Sequence, residues 1–95
     1  MNSPKSISLI FPVYRDKHTV KKVINKSLKI LRKLKMKYEI IIIDDGCPEK
    51  SGLVALKYTK NNNRIRVIFH KKNYGYGAAI RTGFKKSKYE CIYAV

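Results

Sequence analysis

Four consecutive isoleucines, Ile40 to Ile43, run directly into Asp44-Asp45-Gly46. An uninterrupted β-branched run of this length reads as a strand covered on both faces, the mark of a parallel sheet. In open α/β sheets, ligands bind beyond the carboxyl ends of such strands. The chain has six acidic residues and a net charge of +16, and two of those acids sit side by side at that end. They point to a polar ligand site.

The rest of the chain follows the same alternation. Residues 6–13 (SISLIFPV) read as a first strand, which Pro12 is expected to end or bulge. A helix over residues 17–35 places Val20, Val23, Ile24, Leu28, Leu31 and Leu34 on one face. A second strand spans 39–43, a turn spans 47–52, and a short helix runs through Leu53, Val54, Leu56 and Tyr58. Asn61-Asn62-Asn63 ends it, residues 64–69 (RIRVIF) form strand three, and a helix runs from Tyr76 or Gly77 to about Ser87. Residues 90–95 (ECIYAV) begin a fourth strand, so the chain is expected to stop inside an incomplete domain. The pattern predicts an α/β fold: a Rossmann-like parallel sheet of about four strands with flanking helices.

Composition narrows the partners. At 95 residues the chain makes one small domain, and seven Tyr and three Phe within 44% hydrophobic content mark it as globular. Twenty-two Lys and Arg favour anionic partners: phosphates, nucleic acid or an acidic membrane. Nine of them lie in residues 17–37 without one acid. That helix suits a membrane surface, and it equally suits a helix packed on a sheet with its charges in water. Lys dominates over Arg and no base-reading motif is present, so nucleic acid is not expected. Cys47 and Cys91 are too far apart and too isolated for a metal motif, which predicts two reduced thiols in a cytoplasmic protein. No apolar run approaches the roughly 20 residues of a transmembrane helix, leaving only peripheral membrane contact.

Three strand ends carry candidate site residues. After strand one, in Pro12-Val13-Tyr14-Arg15-Asp16, Tyr14 offers a ring for stacking on a base and Asp16 an acceptor, or a cap for the next helix. After strand two, Asp44 and Asp45 project to opposite sides. One can accept an N–H from a base while the other orients the loop, and Asx turns ahead of Gly46 use the same residues. After strand three comes Asn73-Tyr74-Gly75-Tyr76-Gly77. Gly75 and Gly77 would let a ligand approach the backbone N–H groups of a helix start, with Arg81 one turn on, though a plain turn has the same pattern. Ile80 stands where a dinucleotide fingerprint needs glycine, and no G-K-[ST] follows, so neither standard phosphate loop is present. His18 and His70 read as ordinary loop or surface residues.

Taken in order, Pro-x-Tyr-x-acid, Asp-Asp-Gly and Asn-x-Gly-x-Gly-x-Ala resemble the N-terminal nucleotide-binding half of family 2 glycosyltransferases, which have the GT-A fold. The resemblance spans residues 6–95 and implies a site for a nucleotide-diphosphate sugar. It places Pro12, Tyr14 and Asp16 near base and ribose, assigns Asp44 and Asp45 to the first acidic pair, and gives Asn73, Gly75 and Gly77 to the loop that closes over the nucleoside. Arg15 replaces a frequent Asn, and Cys47 a frequent Ser. The resemblance further implies a Mn or Mg ion held by a D-x-D motif outside this chain, and catalytic and acceptor residues likewise outside it. Relatives that glycosylate polyprenyl phosphates at membranes would suit the basic charge. The alternative is a small basic module, not an enzyme, that binds nucleic acid or an anionic membrane surface.

Overall fold

A computed structural model of the chain describes residues 6–14, 17–48, 51–89 and 92–94. Asp16 and Cys91 lie outside the described residues. Strand β1 (Ser6–Val13) leads to helix α1 (Lys17–Leu34), β2 (Lys37–Asp44), α2 (Ser51–Thr59), β3 (Ile65–Phe69), α3 (Tyr76–Lys86) and β4 (Ile92–Ala94). All pairings are parallel, in the order β3-β2-β1-β4. The α/β alternation expected from the sequence is therefore the observed one.

Side-chain alternation along β2 divides the core into two layers. Ile40 and Ile42 join Phe11, Val13, Ala55 and the buried stripe of α1 (Val20, Ile24, Leu28, Leu31) on one face. Ile41 and Ile43 meet Ile10 and Ala79 of α3 on the other. The four isoleucines are buried to 2% exposure or less. Each contributes about 1.5–3 kcal/mol relative to leaving it in water, and the two-sided burial expected of the run is what the structure has. Leu34, placed on the buried stripe by periodicity, is instead exposed at the last turn of α1.

The expectation for Pro12 fails, and two boundaries shift. Pro12 neither ends nor bulges β1, because Val13 continues the strand in register with Asp44. The carbonyl of Val13 accepts the Asp45 N–H, so odd-numbered residues of β1 bond toward β2 and Pro12 turns toward the β4 side. There the pairing among the described residues runs from Ser8 to Ile10, short of Pro12. Strand β2 begins two residues earlier than expected, at Lys37. Helix α2 begins at Ser51 inside the expected turn, because the carboxylate of Asp44 at the end of β2 receives the Gly52 N–H in its first turn.

A buried polar cluster ties α3 and its exit to the amino end of the sheet. Glu39, 3% exposed, accepts from Ser8 Oγ at 2.6 Å and from Arg66 Nη2 at 2.8 Å, and also from the Lys88 backbone N–H. Arg66 donates in addition to the Lys86 carbonyl in the last turn of α3. Burial opposes ionisation of Glu39, but the bonds from Ser8, Lys88 and Arg66 outweigh it and hold the carboxyl below its usual range.

Candidate functional site

The carboxyl edge of the sheet is built by register. Val13 pairs with Asp44 and Asp44 with Phe69, so Tyr14, Asp45 and His70 are the next residues on three adjacent strands. Backbone bonds from Asp45 N to Val13 O (3.0 Å) and from His70 N to Asp44 O (2.8 Å) carry the pairing one step beyond the strand ends.

The two aspartates turn to opposite faces, as strand geometry requires, and each seats a helix. Asp44 falls in line with Ile42 and faces α2. Its Oδ1 accepts the Cys47 N–H at 2.7 Å and its Oδ2 the Gly52 N–H at 2.8 Å. A carboxylate here satisfies N–H groups that the first turn of a helix leaves unpaired, and it complements the helix dipole. The first bond reaches three residues on, one further than the Asx turn considered for this residue. Asp45 falls in line with Ile43 and faces α3. Oδ1 accepts from His70 Nδ1 (2.8 Å) and Tyr74 N (3.0 Å), while Oδ2 accepts from Asn73 Nδ2 (3.0 Å) and Gly75 N (2.9 Å).

A carboxylate offers about four acceptor positions. Asp45 has all of them filled by its own chain, whereas Asp44 keeps two. Burial raises the Asp45 pKa, but the bonds from His70, Tyr74 and Gly75 and the nearby imidazole more than compensate, so the carboxyl is held below its ordinary value.

His70 is the residue that sequence reasoning misjudged. It is a bridge, not a loose surface side chain: Nδ1 binds Asp45 and Nε2 lies 2.8 Å from Thr82 Oγ1 on α3. Because Asp45 only accepts, Nδ1 carries a proton. The Thr82 hydroxyl can turn either to Nε2 or to the Ala78 carbonyl, 3.1 Å away. The available signal was positional, since His70 follows strand three just as Asp45 follows strand two. His18 is exposed on α1, as expected.

Glycines set how closely the loops approach. Gly46 has φ +67°, and a Cβ there would sit 2.2 Å from the Lys72 carbonyl carbon and 2.4 Å from the Asn73 nitrogen. The β2–α2 and β3–α3 connections therefore touch backbone to backbone. At Gly75 (φ +99°) and Gly77 an added Cβ would meet nothing within 4 Å. No neighbouring atom demands glycine at position 77, and the space beside the start of α3 is open. No side chain caps that helix.

Tyr14 is exposed at the end of β1, half-buried Pro12 precedes it inside the strand, and Arg81 is exposed on α3. A cavity of about 420 Å³ opens between the two loops, lined by Asp44, Gly46, Cys47, Leu53, Phe69, His70 and Lys71. Its lining brings Asp44 in and leaves Tyr14, Asn73, Gly75 and Gly77 outside, along the neighbouring edge. Cys47 is buried, with its Sγ 3.2 Å from Ser51 Oγ. Among the described residues no three His, Cys, Asp or Glu side chains gather to hold a metal. The Asp45–His70 pair is taken up by internal bonds.

Comparison with known proteins agrees with this architecture. The glycosyl transferase family 2 model matches residues 8–95. A human dolichyl-phosphate beta-glucosyltransferase is 33% identical over 93% of this chain and 29% of its own length. An undecaprenyl-phosphate 4-deoxy-4-formamido-L-arabinose transferase from Photorhabdus laumondii is 29% identical over 86% of this chain and 26% of its own. A mannosyltransferase from Pyrobaculum calidifontis, solved in complex with GDP-Man and Mn2+, superposes with a TM-score of 0.80 over 96% of this chain at 13% identity, and 26% of that structure is covered. The chain thus spans somewhat more than a quarter of the length of these relatives. Its GT-A-type fold and its match over nearly all residues agree: this chain belongs to glycosyl transferase family 2.

Proposed function

We propose that the carboxyl edge of this sheet binds the nucleotide half of a nucleotide-diphosphate sugar, as the donor side of a sugar transfer. The observation that carries the reading is that register sets the ends of β1, β2 and β3 side by side on one edge, with the second and third motifs bound together by the four bonds that Asp45 accepts. Tyr14 supplies a ring for the base, with Pro12 fixing the strand beneath it. Asp45, already saturated, organises the Asn73–Gly75 segment. Asp44 keeps two acceptor positions for an N–H of the ligand. The uncapped start of α3, with open space at Gly75 and Gly77, suits the diphosphate, because a helix N-terminus favours anions.

No described residue is assigned to the chemical step. Among the described residues no donor set suits a metal, and the family resemblance assigns the Mn or Mg ion on the diphosphate to a D-x-D motif outside this chain. Relatives named for dolichyl and undecaprenyl phosphate support a polyprenyl-phosphate acceptor. That acceptor class implies work at a membrane. No described helix is long and apolar enough to cross one, and a peripheral location at its cytoplasmic side fits the basic charge.

The test is a titration of the 95-residue chain with UDP and GDP, monitored by NMR. Shifts at the amides of Tyr14, Gly75 and Gly77, weakened in Asp44→Asn, are expected. Unmoved amide peaks at millimolar nucleotide would overturn the proposal.

A further inference from the structure

We propose that the outer face of α1 is a docking surface for an anionic lipid bilayer. The inference deepens the peripheral-membrane reading by naming the surface, and it rests on observations separate from the nucleotide site. Lys22, Lys26, Lys29 and Lys33 are all exposed. At 3.6 residues per turn they fall within an arc of about 60°, diametrically opposite the buried Val20, Ile24, Leu28 and Leu31. Several stand three or four residues apart, where like charges repel and weaken a helix.

Nothing on the described surface relieves that repulsion. Glu39, Asp44 and Asp45 are the only carboxylates among the described residues, and all three are buried and bonded to donors of the chain itself. An anionic partner would supply the counter-charge that no described carboxylate gives this crest.

The flanks of α1 favour lipid as that partner. On one side Ile30 and Leu34, one turn apart, are 49% and 58% exposed beside the lysines. On the other, Lys21 and Arg32 join Lys57 of α2 around a groove of about 410 Å³. Leu28, Val54 and Ile65 also line that groove. Cations interleaved with aliphatic side chains suit phosphate headgroups above an acyl boundary. A nucleic-acid surface would call for aromatic platforms and arginine forks, and α1 carries no Phe, Tyr or Trp, one His and one Arg. Docking through α1 covers one face of the sheet and leaves its carboxyl edge open.

The experiment is co-sedimentation of the 95-residue chain with phosphatidylcholine vesicles with and without phosphatidylglycerol, in the absence of nucleotide. Binding to the anionic vesicles only, falling with salt, is expected. Lys22→Gln, Lys29→Gln and Lys33→Gln combined should lower the partition coefficient about 100-fold, taking each basic residue near the surface as worth about fivefold. The matched triple Lys85→Gln, Lys86→Gln and Lys88→Gln removes the same charge elsewhere and should lower it by less than about fivefold. Gln and Lys have similar helix propensity, and circular dichroism melts verify that both triples fold. Equal losses in the two triples, no binding to anionic vesicles, or tighter binding to an RNA oligonucleotide would each overturn the proposal. Nucleotide titration without vesicles reports independently on the donor site, so either reading can fail alone.

Discussion

Replacing Asp45 by Asn exchanges one oxygen for an amino group and removes one charge, at a carboxylate that four donors share. They divide as two pairs: His70 Nδ1 and Tyr74 N on Oδ1, Asn73 Nδ2 and Gly75 N on Oδ2. An asparagine has one carbonyl oxygen and one amino group, so either orientation leaves one pair facing a donor. Each buried donor stripped of its acceptor costs about 1–3 kcal/mol. Two such losses come to about 4 kcal/mol, reduced by about 1 when the Asn73 side chain, at the surface, turns to water. The expected cost is therefore about 3 kcal/mol, a large share of the 5–15 kcal/mol typical of a domain. For a chain of this size that lowers Tm by about 12–24 °C. Asp44→Asn is the internal standard. Among the described residues Asp44 serves Cys47 N and Gly52 N, one of which an asparagine oxygen can still accept, so its cost should be about 1–2 kcal/mol. Urea denaturation of both variants decides the matter, with the Gly75 amide resonance reporting whether the loop has detached. A loss in Asp45→Asn below about 1 kcal/mol, or smaller than that in Asp44→Asn, would refute the saturation argument.

The glycines separate structural need from ligand access. Gly46→Ala forces a side chain onto a positive φ and against the Lys72 and Asn73 backbone. It should cost about 3 kcal/mol or more by chemical denaturation. Gly77→Ala meets open space and should leave stability within about 1 kcal/mol, yet weaken nucleotide binding in the NMR titration; unchanged affinity would remove Gly77 from the site. The pH dependence comes from Asp45 and Glu39, both held below their usual values of 3.8 and 4.5 in the folded chain. The unfolded chain then binds more protons, so their stabilisation is complete above about pH 5 and drains away as pH falls through the folded values. Urea midpoints taken from neutral to acid pH should fall less steeply in Glu39→Gln than in the parent chain, and parallel curves would contradict the assignment.

Much of this architecture was legible in the residues alone. The isoleucine run fixed a doubly buried central strand because a residue's partition out of water depends on its own chemistry, and alternation with helical patterns then restricts the sheet to parallel crossovers. Alternation also separated Asp44 from Asp45, since neighbouring side chains on a strand must diverge. Those are local properties, readable residue by residue. What the aspartates do was not local. Asp45 meets residues 25 to 30 positions away in the chain, and only strand register brings His70 beside it and α3 across it. The same holds for Pro12, which stays in register within β1 with its bare nitrogen turned away from β2, and for Glu39, the first residue of the expected second strand, which is the buried anchor of Ser8, Arg66 and Lys88. Sequence determined which segments had to be buried, because hydrophobicity and backbone preference belong to the residue. Tertiary structure decided which donors each carboxylate accepts from, because a hydrogen bond belongs to a pair.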